Sequence, residues 1–267
     1  MNEKIIKQIK SLPPLPKSVM EVQRITNDPN SSISDLVKVI KEDPMLIANL
    51  LKAANSPLYG FTRQIKTVDQ AVSLFGMTTV KGFVISFAVR NNLKFDLSAY
   101  GIDENRFHDV SIRRNALAFN WYRTKRDKLD IIATDSFLID LGAVIISLIL
   151  VGEGRDKEFR ERLNNENRIE LEREFVGATA TEITAEIFKH WHFGEELIEP
   201  IFYIDNPLSA PNYKECAANL DVIRTIIDLL DMQTETAVQK GIQKAQDYNL
   251  DIEKLNKALE VLEKGNE

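Results

Sequence analysis

Apolar side chains recur every three or four positions through the first hundred residues, which is the period of an amphipathic helix. From Pro16 onward, Val19, Val22 and Ile25 follow this spacing, and an Asn-Asp-Pro turn ends the segment at residues 27–29. Similar stripes continue to residue 91, and no window alternates apolar and polar positions as a half-buried strand does. This part of the chain therefore predicts five or six helices joined by short turns.

The predicted helices begin and end at residues that suit those positions. Ser32 and Asp35 have the spacing of a capping box, with Asp in place of the usual Glu. Thr67 and Gln70 have the same spacing in front of the apolar run VDQAVSLF. Gly76 follows that run and offers the left-handed backbone that ends a helix.

The second part of the chain is also predicted to be helical. The run DSFLIDLGAVIISLILVG, residues 135–152, is long enough to favour one core helix over a buried strand. The highly charged segment 152–175 predicts a mobile or surface helical excursion, and amphipathic helices follow it. We therefore predict an all-α protein with an N-terminal helical bundle over residues 1–96 and a second helical half over residues 97–267.

Composition narrows the classes of function. The chain has 267 residues and a net charge of −6, which opposes the phosphate backbone of nucleic acid, so no DNA partner is expected. No apolar run is long and uncharged enough to cross a bilayer, and the N-terminus lacks the features of a secretory signal. A cytoplasmic location without membrane association is expected. Cys216, the single cysteine, is interpreted as a structural or incidental thiol.

Candidate catalytic side chains are few. The three histidines are His108, His190 and His192, and the last two would point to nearly opposite sides of a helix. The motifs of serine hydrolases, P-loop proteins and dinucleotide-binding folds are absent, so no cofactor is expected. The carboxylates of Glu172 and Glu174 fit a solvated surface better than an acid and base pair.

Several sequence motifs in about the first ninety residues resemble those of one protein family. LPPLP, NDPNSSISDLVKVIKEDPMLIANLLKAANSPLYG and TVDQAVSLFGMTTVKGFVISFAV are similar to the HDOD family of bacterial signalling domains. The likeness includes the pair Asn55-Ser56 and the LFG turn that ends at Gly76. That family is similar in fold to HD-domain phosphohydrolases. The resemblance implies one continuous HDOD unit with a multi-helix HD-domain-like fold, in which the N-terminal bundle packs on a degenerate HD-like half.

The resemblance also implies that the metal ligands of the HD enzymes are replaced. Ile139 stands where their His-Asp pair has its histidine, and Asp140 remains next to Gly142. Ala180 stands at a second histidine position. Isoleucine and alanine side chains offer no lone pair to a metal ion, so hydrolysis by the parental route is not expected. Asp140 is expected instead to cap or orient helices in this relic pocket.

Further family positions complete the comparison. Gly177 and Trp191 correspond to a Gly and a Trp of the family, and Ile204-Asp205 stand where a His-His doublet often precedes a proline. A structural role is expected for the following residues of the family motifs: Asn55, Ser56, Gly76, Gly142 and Trp191.

The resemblance implies a non-catalytic regulatory module that binds signalling proteins, without metal or cofactor. One alternative is a divergent metal-dependent phosphohydrolase. Its oxygen-rich site for Mg²⁺ or Mn²⁺ would combine His108 with the carboxylates of Asp109, Asp140 and Asp205.

A second alternative is a sensor that binds a nucleotide in the relic pocket. Asp140 and Asp205 would line that pocket, and Arg113 and Arg114 would be the partners of the phosphate. A nucleotide ligand is thus a possible partner besides signalling proteins.

Overall fold

The computed structural model describes residues 1–93 and 96–265, apart from the side chain of Asn92. These residues form helices and turns, with one isolated bridge between Asp228 and Met232 and no strand, which confirms the predicted all-α class. Short 3-10 helices lie at Pro57–Tyr59, Ser98–Tyr100 and Pro207–Ser209. The α-helices in chain order are α1 (Glu3–Lys10), α2 (Lys17–Asn27), α3 (Ile33–Lys41), α4 (Pro44–Ala54), α5 (Val68–Phe75), α6 (Met77–Asn92), α7 (Glu104–Tyr122), α8 (Arg126–Leu138), α9 (Leu141–Gly152), α10 (Asp156–Leu163), α11 (Arg168–Val176), α12 (Ala180–His190), α13 (Glu195–Phe202), α14 (Lys214–Ile226), α15 (Glu235–Asp247) and α16 (Ile252–Lys264).

The predicted helix ends of the first hundred residues are confirmed. The Ser32 hydroxyl accepts from the Asp35 N–H at 3.3 Å, and the Asp35 carboxylate accepts from the Ser32 N–H at 3.0 Å. Thr67 and Gln70 make the same reciprocal pair of bonds at the start of α5. Gly76 follows α5 with φ of +84°, a backbone angle that favours glycine.

The apolar run 135–152, which we predicted as one helix, is divided between two. α8 ends at Leu138 and α9 begins at Leu141, so Ile139 and Asp140 lie in the turn between them. Aspartate favours such positions over helix interiors, and local length alone did not reveal the break. The stretch Arg126–Gly152 has the length and hydropathy of a membrane span, but 83% of its most apolar window is buried, as in a core helix.

The chain forms two compact units, each assembled from three separated segments. Unit 1 contains Met1–Pro13, Leu93–Ser111 and Leu138–Leu250, and unit 2 contains Pro14–Asn92, Ile112–Phe137 and Asp251–Glu267. The chain passes from unit 2 to unit 1 between residues 92 and 93, near the predicted boundary at residue 96. Because unit 2 also takes two later segments, the division into a bundle over residues 1–96 and a half over residues 97–267 stays a prediction.

Unit 2 has an aromatic core. Tyr59 packs edge-on against Phe75 with ring centroids 4.9 Å apart, and Phe83 packs against Phe137 at 4.8 Å. The buried Tyr59 hydroxyl donates to Asn115 at 2.8 Å, so its polar atom has a partner. The contacts of Phe83 with Phe137 and of Tyr59 with Asn115 join the first segment of unit 2 to its second segment.

The core of unit 1 contains a close approach between α9 and α12. A Cβ placed on Gly142 would lie 2.0 Å from the carbonyl oxygen of Ala180, so only glycine fits there. The Gly142 N–H donates to the Thr184 hydroxyl at 2.8 Å, and that hydroxyl donates in turn to the Ile139 carbonyl at 3.0 Å. Trp191, at the end of α12, is buried and donates to the Pro13 carbonyl.

Candidate functional site

The positions that the resemblance assigned to metal ligands lie in unit 1, at the starts of α9 and α12. Ile139 is fully buried and presents only carbon atoms. Ala180 is the first residue of α12, and its backbone N–H donates to a carboxylate oxygen of Glu172 at 2.7 Å. Asp140 is 1% exposed and sits at the N-cap of α9, although its side chain makes no capping bond there. Its carboxylate faces another partner.

That partner is Arg168, in the first turn of α11. Asn167 starts this helix by accepting from the N–H groups of its first turn, which places Arg168 beside the turn that holds Asp140. The guanidinium donates to Asp140 Oδ1 at 3.1 Å, and its Nε lies 3.7 Å from Glu172 Oε1. One guanidinium therefore stands between two buried carboxylates and supplies the positive charge that they need.

Glu172 is held by two further donors. The Tyr100 hydroxyl donates to it at 3.0 Å, and the Ala180 N–H donates to its other oxygen. Burial raises the pKa of Glu172 to about 7, although Arg168 and the Ala180 N–H oppose the rise. This carboxyl is therefore able to gain or lose a proton near neutral pH.

A second pair lies at Asp205, after α13. Arg224 of α14 donates to Asp205 at 2.6 Å, and the Thr181 hydroxyl donates to it at 2.9 Å. Burial works to raise the pKa of Asp205, but its hydrogen bonds and the nearby positive charges, chiefly those of Arg224, together hold that pKa below its usual value. Arg168 also lowers the pKa of Asp205 through its charge, so the two pairs act on each other.

Arg224 continues the chain of contacts to α15. It donates to Asp221 at 3.2 Å, and Asp221 also accepts from Lys244 at 2.8 Å and from the Tyr248 hydroxyl at 2.9 Å. We call the following set the arginine–carboxylate cluster: Asp140, Arg168, Glu172, Asp205, Asp221, Arg224 and Lys244.

The cluster does not fit the divalent metal of the HD-domain phosphohydrolases that the sequence resembles. The carboxylates of Asp140 and Asp205 are already bonded to guanidinium groups, and neither Ile139 nor Ala180 has a side-chain donor atom. Within residues 1–93 and 96–265, no three His, Cys, Asp or Glu side chains are placed to hold one metal ion. Asp109, named in the metal-dependent alternative, is exposed on α7.

The arginines that the sequence associated with the relic pocket lie in unit 2. Arg113 is half-buried and Arg114 is buried, both in the part of α7 that belongs to that unit. Asp140 and Asp205 belong to unit 1, where the guanidinium groups beside them are those of Arg168 and Arg224. The role of Arg113 and Arg114 as phosphate partners stays a prediction.

The family motif of unit 2 makes hydrogen bonds at a helix end. The Asn55 amide donates to the carbonyls of Leu51 and Ile65, both at 2.7 Å, and accepts from the Ile65 N–H at 2.8 Å. Asn55 thus ties the end of α4 to the loop after it. Ser56 follows it at the start of the 3-10 helix and makes no side-chain capping bond there.

The interpretation of the charged segment 152–175 was wrong for α11. Glu172, which we predicted to be solvated, is 1% exposed, and Arg168 is mostly buried beside it. Arg168, Leu171, Glu172 and Phe175 recur at helical spacing, so the two charges share a stripe with two buried apolar residues. Charges on an apolar stripe were the signal that could have identified this buried pair.

The comparisons with known proteins agree with the sequence motifs. A model of the HDOD domain family matches residues 12–207. An uncharacterized protein of Treponema pallidum (strain Nichols) is 23% identical over an alignment of 246 residues, and the match covers 86% of this chain and 45% of that protein. The chain thus spans about half the length of this relative.

Two solved structures extend the likeness to the fold. That of a virulence factor from Campylobacter jejuni subsp. jejuni is 27% identical with a TM-score of 0.60, and covers 99% of this chain and 100% of that chain. That of a protein from Shewanella amazonensis SB2B, whose name proposes a phosphohydrolase, is 24% identical with a TM-score of 0.70, and covers 99% and 97%. The second likeness shows the fold alone and confirms the HD-like class. Because the family model matches well over half of the chain, this chain belongs to the HDOD domain family.

Proposed function

We propose that this chain is a non-catalytic signal-transduction module of the bacterial cytoplasm that acts by binding rather than by hydrolysis. The observation that carries the proposal is the bond between Arg168 and Asp140. According to the resemblance, Asp140 corresponds to the aspartate of the His-Asp pair. Its carboxylate is bonded to the guanidinium of Arg168.

A guanidinium supplies charge but not the chemistry of a metal ion. A divalent metal in an HD-type site binds a water molecule and lowers its pKa, which generates the nucleophile. A guanidinium has only N–H donors and no open coordination position, so it neutralises Asp140 without activating water. The contacts of Arg224 with Asp205 indicate that a guanidinium neutralises this second carboxylate as well.

Because guanidinium groups are bonded to both carboxylates, these residues favour a function in binding over one in hydrolysis. The net charge of −6 disfavours nucleic acid, and the membership of the HDOD family favours a signalling protein as the partner. The description of the Campylobacter relative as a virulence factor is compatible with a regulatory role.

The test is the metal content and phosphodiesterase activity of the full chain. The untagged protein is equilibrated with Mn²⁺, Fe²⁺, Zn²⁺ and Mg²⁺, desalted, and measured by elemental mass spectrometry and with bis(p-nitrophenyl) phosphate. We expect metal well below one ion per chain and no turnover.

Two variants make this test discriminating. Stoichiometric metal that disappears in Asp140→Ala, but persists in Asp109→Ala, would overturn the proposal and indicate a site at the relic pocket. Metal lost in both variants would favour the divergent hydrolase that combines these carboxylates. Asp109 is a suitable comparison because it is exposed and its replacement removes one negative charge from the surface.

A further inference from the structure

A cleft of about 580 Å³ lies beside the arginine–carboxylate cluster, entirely within unit 1. It is formed by the starts of α11 and α15 and the end of α14, and we call it the α11–α15 cleft. Arg168, Arg224 and Lys244 of the cluster line it, together with Lys240. Its volume is in the range of pockets that take a small organic ligand.

Two cationic side chains of the cleft have groups that could bind an anion. Arg168 Nη1 is buried and has no hydrogen-bond partner among the described residues, although Nη2 of the same group donates to Asp140. Lys240 is exposed and makes no ion pair with any residue in the described part of the chain. Arg224 and Lys244 are already engaged by Asp205 and Asp221. Arg168 therefore offers an incoming anion a hydrogen-bond donor, and Lys240 offers it an unpaired positive charge.

Two helix N-termini open on the same cleft. α11 begins after Asn167, and the thirteen-residue α15 begins after Thr234. The capping side chains accept only some of the first-turn N–H groups, and the others have no acceptor within the helix. Both helix dipoles place partial positive charge at this end, which adds to the attraction for an anion.

The carboxylates of the cleft restrict the kind of anion. Glu166 is bonded to Arg162, whereas Asp231 is exposed on the rim. Asp228 accepts from the Leu230 N–H at 2.8 Å and also lies in the electrostatic environment of Arg168. A bare anion would be repelled by Asp228 and Asp231. A ligand that carries hydroxyl or amino donors beside its anionic group would satisfy these carboxylates as well as the cations.

We propose that the α11–α15 cleft binds a small organic phosphate that carries hydroxyl or amino donors, of the size of a nucleoside monophosphate. The phosphate lies toward Arg168, Lys240 and the two helix N-termini, and the donors face Asp228 and Asp231. The inference rests on the proposed function, since a molecule that is bound and released unchanged is a signal and not a substrate. Because Arg168 also holds Asp140, the ligand acts directly on the residue at the start of α9.

The test uses saturation-transfer difference and ³¹P NMR on the full chain. The probes are AMP, ribose 5-phosphate, inorganic phosphate and adenosine. We expect AMP and ribose 5-phosphate to bind, and adenosine to bind at least about tenfold more weakly than AMP, because a lost charge interaction of about 1.4 kcal/mol is a factor of ten.

Variants locate the binding. Lys240→Glu reverses an exposed charge in the cleft and should weaken AMP binding by about tenfold or more. Lys214→Glu makes the same charge change at the far end of α14 and should leave binding unchanged. Thr236→Trp fills the cleft without changing charge and should also abolish binding.

Each other outcome has a definite meaning. No signal from either organic phosphate, or equal weakening by Lys240→Glu and Lys214→Glu, overturns the inference. Binding of inorganic phosphate alone indicates an adventitious ion only and also overturns it. Release of inorganic phosphate from AMP would overturn the proposed non-catalytic function while leaving the cleft as the binding site.

Discussion

Asp140 shows how a neighbouring guanidinium group stabilises a buried carboxylate. Its side chain has no exposure, and an isolated charge in that position would cost several kcal/mol. Arg168 offsets that cost because arginine is charged at every physiological pH and its planar group bonds carboxylates well. The interaction does not depend on metal supply. The bond to Arg168 thus gives Asp140 a structural role in the turn before α9.

Removal of Arg168 should destabilise the protein strongly. In Arg168→Ala the buried carboxylate of Asp140 loses its cation, so we expect the free energy of unfolding to fall by about 3–5 kcal/mol. Urea unfolding followed by circular dichroism measures the change. Arg173→Ala is the matched control, since Arg173 lies on the same helix and makes an ion pair with Glu182 while 50% exposed. The control should cost less than about 1 kcal/mol. Equal losses in the two variants would contradict a special role for Arg168.

Glu172 should make stability depend on pH near neutrality. Burial raises its pKa from 4.5 to about 7, so the folded state holds the proton more tightly than the unfolded state does. Its contribution to stability is therefore complete below pH 4.5 and is lost as the pH rises toward 7. The loss is on the order of 3 kcal/mol at most, since a tenfold change in proton affinity is about 1.4 kcal/mol.

The variant Glu172→Gln tests this dependence. It cannot titrate, so its stability relative to the natural protein should rise between about pH 5 and about pH 8 in urea unfolding. Glu170→Gln, at an exposed position of the same helix, should show no such trend relative to the natural protein. A difference between Glu172→Gln and the natural protein that stays constant over this range would show that Glu172 is already ionised at the lower pH.

Among the elements, the contact of α9 with α12 depends on one glycine. Gly142→Ala would place a methyl group against the Ala180 carbonyl, and overpacking of this kind costs about 1–3 kcal/mol. Thermal denaturation should show a lower midpoint. Gly152→Ala at the end of the same helix meets nothing within 4 Å and should leave the midpoint unchanged or raise it. Should both variants behave alike, helix propensity rather than close packing would govern α9.

Local signals in the sequence predicted the ends of the helices well. Capping boxes at Ser32 and Thr67 and the turn at Gly76 depend on residues within a few positions of each other, so a single sequence contains the whole interaction. The break between α8 and α9 was not predicted. Asp140 lies in this turn, and its partner Arg168 is 28 positions away in sequence.

The difference between local and long-range interactions also explains which residues of the candidate site were predicted. The resemblance to the family identified Asp140 and Asp205 as site candidates, because both lie at positions that match the family's sequence motifs. It did not identify Arg168 or Arg224, which reach these carboxylates only in the folded chain. The charge-rich composition of segment 152–175 indicated a surface, whereas helical phase places Arg168 and Glu172 on the buried side. The helical periodicity of that segment was therefore a better guide to burial than its charged composition.

At the scale of the molecule, neither compact unit is a continuous stretch of chain. Unit 2 takes its first segment from residues 14–92, but the core of that segment is completed by residues from later in the sequence. Phe75 packs against Phe119 with ring centroids 5.0 Å apart, and a Cβ on Gly60 would meet the Val261 side chain at 2.8 Å. The first segment therefore leaves apolar side chains uncovered when the later ones are missing.

A fragment of residues 14–92 should consequently fail to fold alone. It lacks the Asn115 partner of the buried Tyr59 hydroxyl and the Phe137 ring that covers Phe83. Its helices have 8 to 16 residues, and isolated helices of about this length are marginal in water. Circular dichroism should show weak helicity and no cooperative thermal transition, while the full chain shows both. A sigmoidal transition in the fragment would instead favour the predicted bundle over residues 1–96 as an independent domain. The two outcomes separate a fold whose first segment needs its later partners from one in which that segment is sufficient.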